Sequence, residues 1–492
     1  MLQVSKINSM QDWYYKDSDS LVLPGVEVYL NGVKAEVHCS RESAVPFNRI
    51  WPGRQRSLDQ TELAGFVNFA SDESVEVKVV INNEWEFDKA VIRPLSKNTA
   101  VSVEGKKVTF TLDKPGHYAL ELETYHQTLY FFFEPVSPEV KAEDVDYYFG
   151  PGIHFPGVIN LKSGDRVYID RGAIVFGSIN GRNVQDVHIF GSGVLNGAAE
   201  NRIFGGFIET FCKSTLKFYN SDNIRIEGII VQDSSQWTTS FFSCTNIVID
   251  NLKVVGQWRY NTDGVDFCGC HHVAMNNCFI RAFDDGIVIK GYNDLPFFTV
   301  PEIRRDHSVT DIEIRNCTVW SGWGRTLEIG IETFTPEYKN ILFENCDLIH
   351  SSASCLDVQN GNYASIHDVT FRNIRIEYQT ETLPEIYQRS DDMVYDNAGR
   401  MGVPKLLNVD NRRYGGQTGK FGDTFDILFE DIRVLAEEGV PEKLPVFFGN
   451  FSDDVKVADI TIRNLTVNGK KITSPDDVDL KVVGKVDNVR WE

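Results

Sequence analysis

Four aspartates crowd two short segments of this chain: Asp263 and Asp266 in YNTDGVDF, and the adjacent Asp284 and Asp285 in FDDGIVIKG. Acidic side chains disfavour strands, yet apolar residues such as Val265, Phe267, Ile287, Val288 and Ile289 surround them. Asp263 and Asp284 are 21 residues apart. If the chain repeats at about that length, the two segments become neighbours in space. Crowded carboxylates repel, so one of them holds a proton at a pH where another is ionised. A protonated acid beside an ionised base is the equipment for cleaving a glycosidic bond. The competing reading is ordinary turns, because Asp263-Gly264 and Asp285-Gly286 are both turn pairs. Three aspartates in consecutive units favour the chemical reading. Asp284 and Asp285 would face opposite sides of a regular strand. Both reach one cleft only if the chain bends, which Gly286 would permit. Asp266 is expected within the strand or behind the cluster.

The elements that must position these residues are repetitive. NIRIEGII (from Asn223), NIVIDNLK (from Asn246), HVAMNNCF (from His272), DIEIRNCT (from Asp311), NILFENCD (from Asn340), DVTFRNIR (from Asp368), DILFEDIR (from Asp426) and DITIRNLT (from Asp459) share one pattern. Each alternates with period two and then turns at a polar corner, where Asn251, Asn277, Asn316, Asn345, Asn373, Asp431 and Asn464 fall at one phase. Asparagines stacked at a turn can bond to backbone and to the next rung, which points to a right-handed parallel β-helix. The LxxLxL spacing of leucine-rich repeats is absent. Cys278, Cys317 and Cys346 recur at one repeat position and suit small core residues.

Ahead of the repeats, VEVYLNGVKAEV, VEVKVVI, VTFTL and HYALELE alternate in short bursts separated by turn signals. They predict an N-terminal antiparallel β-sandwich. The polar stretch from Ser137 to Gly152 reads as the junction, which gives a sandwich over 1–140 and a β-helix over 141–492. Between Arg375 and Phe425 the repeat lapses. That insertion is either a wall of the cleft or a subunit contact, so a homo-oligomer stays open.

The chain has 492 residues, 42% apolar, with 70 acidic against 49 basic residues and a net charge of -21. This charge opposes nucleic acid and anionic membranes as partners. No apolar run is long enough to span a membrane. The start lacks the apolar core of a signal peptide, so the chain as given reads as cytoplasmic, and a secreted chain trimmed of its signal would read the same. Nine cysteines without regular spacing argue against a disulfide framework. Cys268 and Cys270 have no further ligands at zinc spacing. No metal and no cofactor is expected; the expected partner is a carbohydrate.

NTDG, a DD pair 21 residues beyond its aspartate, the following IVIKG, GSGVLNG (from Gly191) and IGIET (from Ile329) together resemble the parallel β-helix glycoside hydrolases of family 28, the polygalacturonase family. The resemblance spans about Gly157 to Glu377. A sandwich ahead of the helix resembles instead family 49, the dextranase and isopullulanase group. The resemblance implies an inverting hydrolase in which Asp284 is the general acid and Asp263 and Asp285 activate water.

Two departures bear on the substrate. Where polygalacturonases carry Gly-His-Gly, this chain has Gly322, Trp323 and Gly324, followed by Arg325. Where they carry an Arg-Ile-Lys that grips galacturonate, it has Asp357, Val358 and Gln359. A buried uronate carboxylate needs a cation. The sequence therefore favours a neutral α-linked saccharide of the glucan or galactoside type, with pectic galacturonide as the alternative and Lys290 and Arg325 as its remaining cations. A lyase or a non-catalytic binding helix fits less well, since the cluster is acidic without a basic partner. Among the aromatics Trp237, Trp258, Tyr260, Tyr292, Trp320 and Trp323, the expected sugar platforms are Tyr260 and Trp323. Asp357, Gln359 and, more weakly, Glu328 are candidates for hydroxyl contacts.

Overall fold

The structure, a computed structural model, describes residues 2–4, 21–43, 61–199, 214–259, 261–292, 308–379, 381–382, 401–412 and 421–492. Two sheets face each other at the N-terminal end. One runs in the order Val33–Ala35, Val26–Leu30, Val75–Ile81, Lys107–Leu112, Val101–Glu104, all antiparallel. The other is mixed, because Thr124–Glu134 pairs in parallel with Thr61–Ala70. Period-two alternation builds this unit: Val75, Val77 and Val79 point inward, while Glu76 and Lys78 face out.

The second sheet is buried on both faces. Phe131 and Phe133 fill the sandwich. Tyr130 and Phe132, one residue out of phase, pack with Phe176, Phe279 and Trp320 of the β-helix. Each such ring, fully buried, contributes roughly 2 kcal/mol. Buried charge pairs cross the same seam. Arg93 meets Glu121, Glu377 and Glu437, and Lys253 meets Glu134.

From Tyr147 onward the chain winds into a right-handed parallel β-helix that has, among the described residues, one sheet of 13 strands and one of 21. Its interior is a continuous apolar column that includes the stacks Phe218–Phe241–Phe267 and Phe343–Phe371–Phe429, with centroids 4.8 to 5.6 Å apart. Cys278, Cys317 and Cys346 are fully buried in it.

The polar corner forms as expected. Asn345 donates to Asn316 Oδ1 over 2.5 Å, and Asn373 donates to Asn345 Oδ1 over 3.1 Å. All seven corner residues have φ between +50° and +57°, a region Asn and Asp tolerate best among residues with a side chain. The repeat starts form a second ladder that the sequence does not announce. Asn223, Asn246, His272, Asp311, Asn340, Asp368, Asp426 and Asp459 have φ between +52° and +58°, and Asn340 donates to Asp311 Oδ1 over 2.6 Å.

The insertion needs one correction. Lys405–Asn411 is not a lapse of the repeat but a full rung strand, paired in parallel with Ser354–Asn360 and Pro445–Asn450. Its alternation KLLNVDN matches SCLDVQN one rung below. The intervening stretch 383–400 lies outside the described residues.

Candidate active site

The strand Val265–Cys268 carries Asp266, and Asp263 stands two residues before it. The next rung is Ile287–Tyr292, paired so that Val265 meets Ile287, and it is preceded by Asp284 and Asp285. The chain bends at Phe283 and Asp284. Their N–H groups both donate to Thr262 O, over 3.2 and 3.3 Å, and Gly264 N–H donates to Asp285 O over 2.8 Å. These bonds lock the two acidic segments together. A side chain cannot replace hydrogen at the crossing: a Cβ on Gly264 would lie 2.4 Å from Gly286 O. The bend that two neighbouring aspartates need is thus present, and both side chains turn into one buried cluster, 5% and 7% exposed.

Lys290 braces that cluster. Its Nζ lies 2.9 Å from Asp266 Oδ1, 3.0 Å from Asp263 Oδ2 and 4.0 Å from Asp285 Oδ2. The ammonium also sits 3.8 Å over the ring of Trp237. At 3% exposure it faces the carboxylates. Asp266 holds it from behind. Upstream, Arg259 pairs with buried Asp233, and Thr262 Oγ1 donates to Arg259 O over 2.7 Å. This fixes the approach to Asp263.

Arg325 orders the other side. Its backbone N–H donates to Asp285 Oδ1 over 3.0 Å, and Nη1 lies 3.6 Å from that oxygen. Its side chain is 31% exposed and reaches within 3.8 Å of buried Glu328. Gly324 makes this contact possible, because a Cβ there would come within 2.4 Å of Asp285 Oδ1.

Charge separates the four aspartates. Burial and the neighbouring Asp285 push Asp284 well above the usual carboxylate range. Burial opposes ionisation of Asp285 too, but Arg325 and Lys290 overcome it and hold Asp285 below that range. Burial, with Asp266, Asp284 and Asp285 around it, raises Asp263 against the pull of Lys290. Asp266 is pushed up to about 6 by burial. The two adjacent residues are thus shifted in opposite directions, Asp284 toward the protonated form and Asp285 toward the ionised form. Asn261 Nδ2 donates to Asp284 Oδ2 over 3.3 Å and orients the acid.

Trp323 is half-buried and stacks on Phe283, with centroids 6.0 Å apart at 15°. Tyr260 lies outside the described residues, as does the side chain of Tyr292. Trp237, Trp258 and Trp320 are buried. Asp357 is 1% exposed and accepts from Asn408 Nδ2 over 3.1 Å, and Gln359 is 2% exposed. Asp266, Val288, Glu328, Asp357, Asn408 and Phe447 form one lateral row across successive strands. Asn408 and its strand escape the sequence reading because they lie inside the stretch taken for an insertion.

Residues 150–393 match the family described as glycosyl hydrolases family 28. That match falls within the β-helix part of the chain. "Probable exopolygalacturonase B" of Aspergillus terreus is 26% identical over 295 residues, covering 52% of this chain and 63% of that protein. Exopolygalacturonase B of Aspergillus niger is 26% identical over 314 residues, covering 59% and 61%. The chain thus spans less than two thirds of the length of these relatives. Among solved structures, Dex49A from Penicillium minioluteum aligns over 98% of this chain and 100% of its own, with a TM-score of 0.60 at 13% identity. That likeness extends through the sandwich as well as the helix and concerns the fold.

Proposed function

We propose that this protein is an inverting glycoside hydrolase acting on α-linked galacturonides. The observation that carries the chemistry is the pair Asp284 and Asp285 turned into one buried cluster, with Arg325 bound to Asp285 and holding it low while burial raises Asp284. Asp284 gives its proton to the leaving glycosidic oxygen. Asp285 takes a proton from water as that water attacks the anomeric carbon from the other face, and Asp263 holds the water. Lys290 lies beside both Asp263 and Asp285 and holds them in place. Inversion at an α-linkage releases the β-anomer.

The similarity to exopolygalacturonases supports the sugar. The partly exposed guanidinium of Arg325, beside Asp285, is suited to a uronate carboxylate. A neutral sugar is the second reading. Buried Glu328 at 3.8 Å and Asp357 one rung on both draw on the charge of Arg325.

The test is a proton NMR time course with oligogalacturonate, dextran oligomers and α-galactosides. Immediate release of β-galacturonate from oligogalacturonate alone is the expected result. A β-anomer released only from a neutral α-glycoside keeps the acid and base but overturns the substrate. An α-anomer overturns inversion.

A further inference from the structure

The rung strand Lys405–Asn411 leaves two cations on the same outer side of the helix as the acids, several rungs away. Lys405 is in register with Ser354, which is in register with Arg325. That places its strand three steps from the one that follows Asp284 and Asp285, or about 14 Å along the axis. Lys405 Nζ lies 5.3 Å from the centroid of Phe447, and the Arg412 guanidinium lies 5.7 Å from the same ring. Arg412 also lies 5.8 Å from the ring of Phe451, which is 49% exposed. In a chain of net charge -21, two cations here stand around two phenyl rings.

The frame beneath them is rigid. Asp410, Asn408 and Asn411 are fully buried. Asp410 binds Arg412 through Nε over 2.8 Å and also through Nη2. Asn408 Oδ1 accepts from Lys405 Nζ over 3.2 Å. Asn411 Nδ2 donates to Asn450 Oδ1 over 3.0 Å, and Asn411 Oδ1 accepts the N–H of Phe451 over 2.7 Å. The loop carrying Phe451 is therefore pinned to the strand end carrying Arg412. Asp410 pairs with Arg412, and Lys405 donates to Asn408 while Asp357 and Asp410 act on its charge from further away.

We infer that Lys405, Arg412, Phe447 and Phe451 form a distal subsite for an anionic sugar unit of the same chain that is cleaved at the aspartates. Lys405 and Arg412 pair the uronate carboxylate, and a phenyl ring takes the apolar face of the pyranose. The lateral row from Asp266 to Phe447 is the floor joining the two places. The inference deepens the proposed activity and rests on it for the identity of the sugar. It adds that the substrate is a chain several units long, lying along the helix axis toward the C-terminal rungs.

The experiment titrates the Asp284→Asn protein, which holds substrate uncleaved, with pentagalacturonate and with digalacturonate. The same protein carrying Lys405→Gln and Arg412→Gln is compared by calorimetry. The expected result is at least a tenfold loss of affinity for the pentamer, less than twofold for the dimer, and a weaker salt dependence of pentamer binding. Phe451→Ala, at an exposed position, is expected to weaken the pentamer about threefold with no change in melting temperature. Equal loss for dimer and pentamer, unchanged pentamer affinity, or no pentamer binding at all would overturn the subsite. Pentamer binding that depends on the two cations in a wild-type protein that cleaves no galacturonide would keep the subsite and overturn the proposed activity.

Discussion

Arg325 grips Asp285 twice at one oxygen, through its backbone N–H at 3.0 Å and its guanidinium at 3.6 Å. Asp284 Oδ2 instead accepts from the neutral amide of Asn261. Two adjacent carboxyls with similar burial thus diverge through Arg325 and Lys290, whose pull prevails at Asp285 and not at Asp284. Acid and base are assigned by which of the pair faces Arg325, and the bend at Phe283 and Asp284 decides that facing.

Asp284→Asn should lower kcat by three to five orders of magnitude with the fold intact, because it removes the proton donor and keeps the shape. The alkaline limb of the pH–rate profile should vanish with it. In wild type that limb belongs to Asp284: its pKa is raised, so activity falls as pH rises through it. Steady-state rates across pH, with melting curves as control, check this. A variant within tenfold of wild type removes Asp284 from the acid role.

Arg325→Met should move the acidic limb upward. Asp285 is held low, so wild-type activity is lost only as pH falls below the ordinary aspartate range. Without the guanidinium, burial raises Asp285 and the loss begins at higher pH. An upward shift of about one unit, with a raised KM for a uronide substrate, is the expected result. An unmoved limb would mean that Asp285 is not the titrating base.

Much of this was legible in the sequence. The spacing of Asp263 from the DD pair, the glycines after both, and the asparagine corner each follow from a local rule. Gly286 signalled the bend, and the corner residues signalled the turns. What was hidden depends on three dimensions. Lys290 reads as a free cation beside a cleft until the two rungs below supply Asp263, Asp266 and Trp237 as its cage. Lys405 was lost because the long stretch before it breaks the repeat period, although KLLNVDN keeps the alternation. The double burial of Thr124–Glu134 looks like a buried central strand and acquires its meaning only from the helix packed on its outer face.

Gly324→Ala should abolish most activity without unfolding the protein. The added methyl would lie 2.4 Å from Asp285 Oδ1 and 2.5 Å from Asp285 N, so the base must move. A displacement of about 1 Å at a catalytic group can cost roughly a hundredfold. The expected signature is a fall in kcat with little change in melting temperature. Full activity would place Asp285 outside the reaction.

Asn345→Ala should destabilise the helix more than Asn345→Gly. Both variants lose the bond donated to Asn316 and those accepted from Asn373 and Arg375, about 1 kcal/mol each. Alanine must in addition adopt φ near +57°, at roughly 1 kcal/mol, which glycine does not pay. Urea unfolding should rank wild type above Asn345→Gly and Asn345→Ala last. The reverse order would show that hydrogen bonding alone, and not the left-handed turn, selects asparagine here.

Lys290→Met should damage catalysis and stability together. The substitution keeps the chain length over Trp237 but leaves Asp263 and Asp266 without their ammonium at 3.0 and 2.9 Å. Breaking a buried pair by removing one partner costs about 3–5 kcal/mol when the other stays charged. Here the aspartates take up protons instead, so the penalty grows as pH rises. Wild type already shows the direction: Asp266 is raised to about 6, so its ionisation opposes folding as pH climbs from the unfolded value toward 6. In Lys290→Met that window extends to higher pH. The expected outcome is a melting temperature close to wild type near pH 4 and well below it at pH 8, with kcat reduced throughout. A loss of stability independent of pH would mean that Lys290 matters through packing on Trp237 and not through the charge it holds among the aspartates.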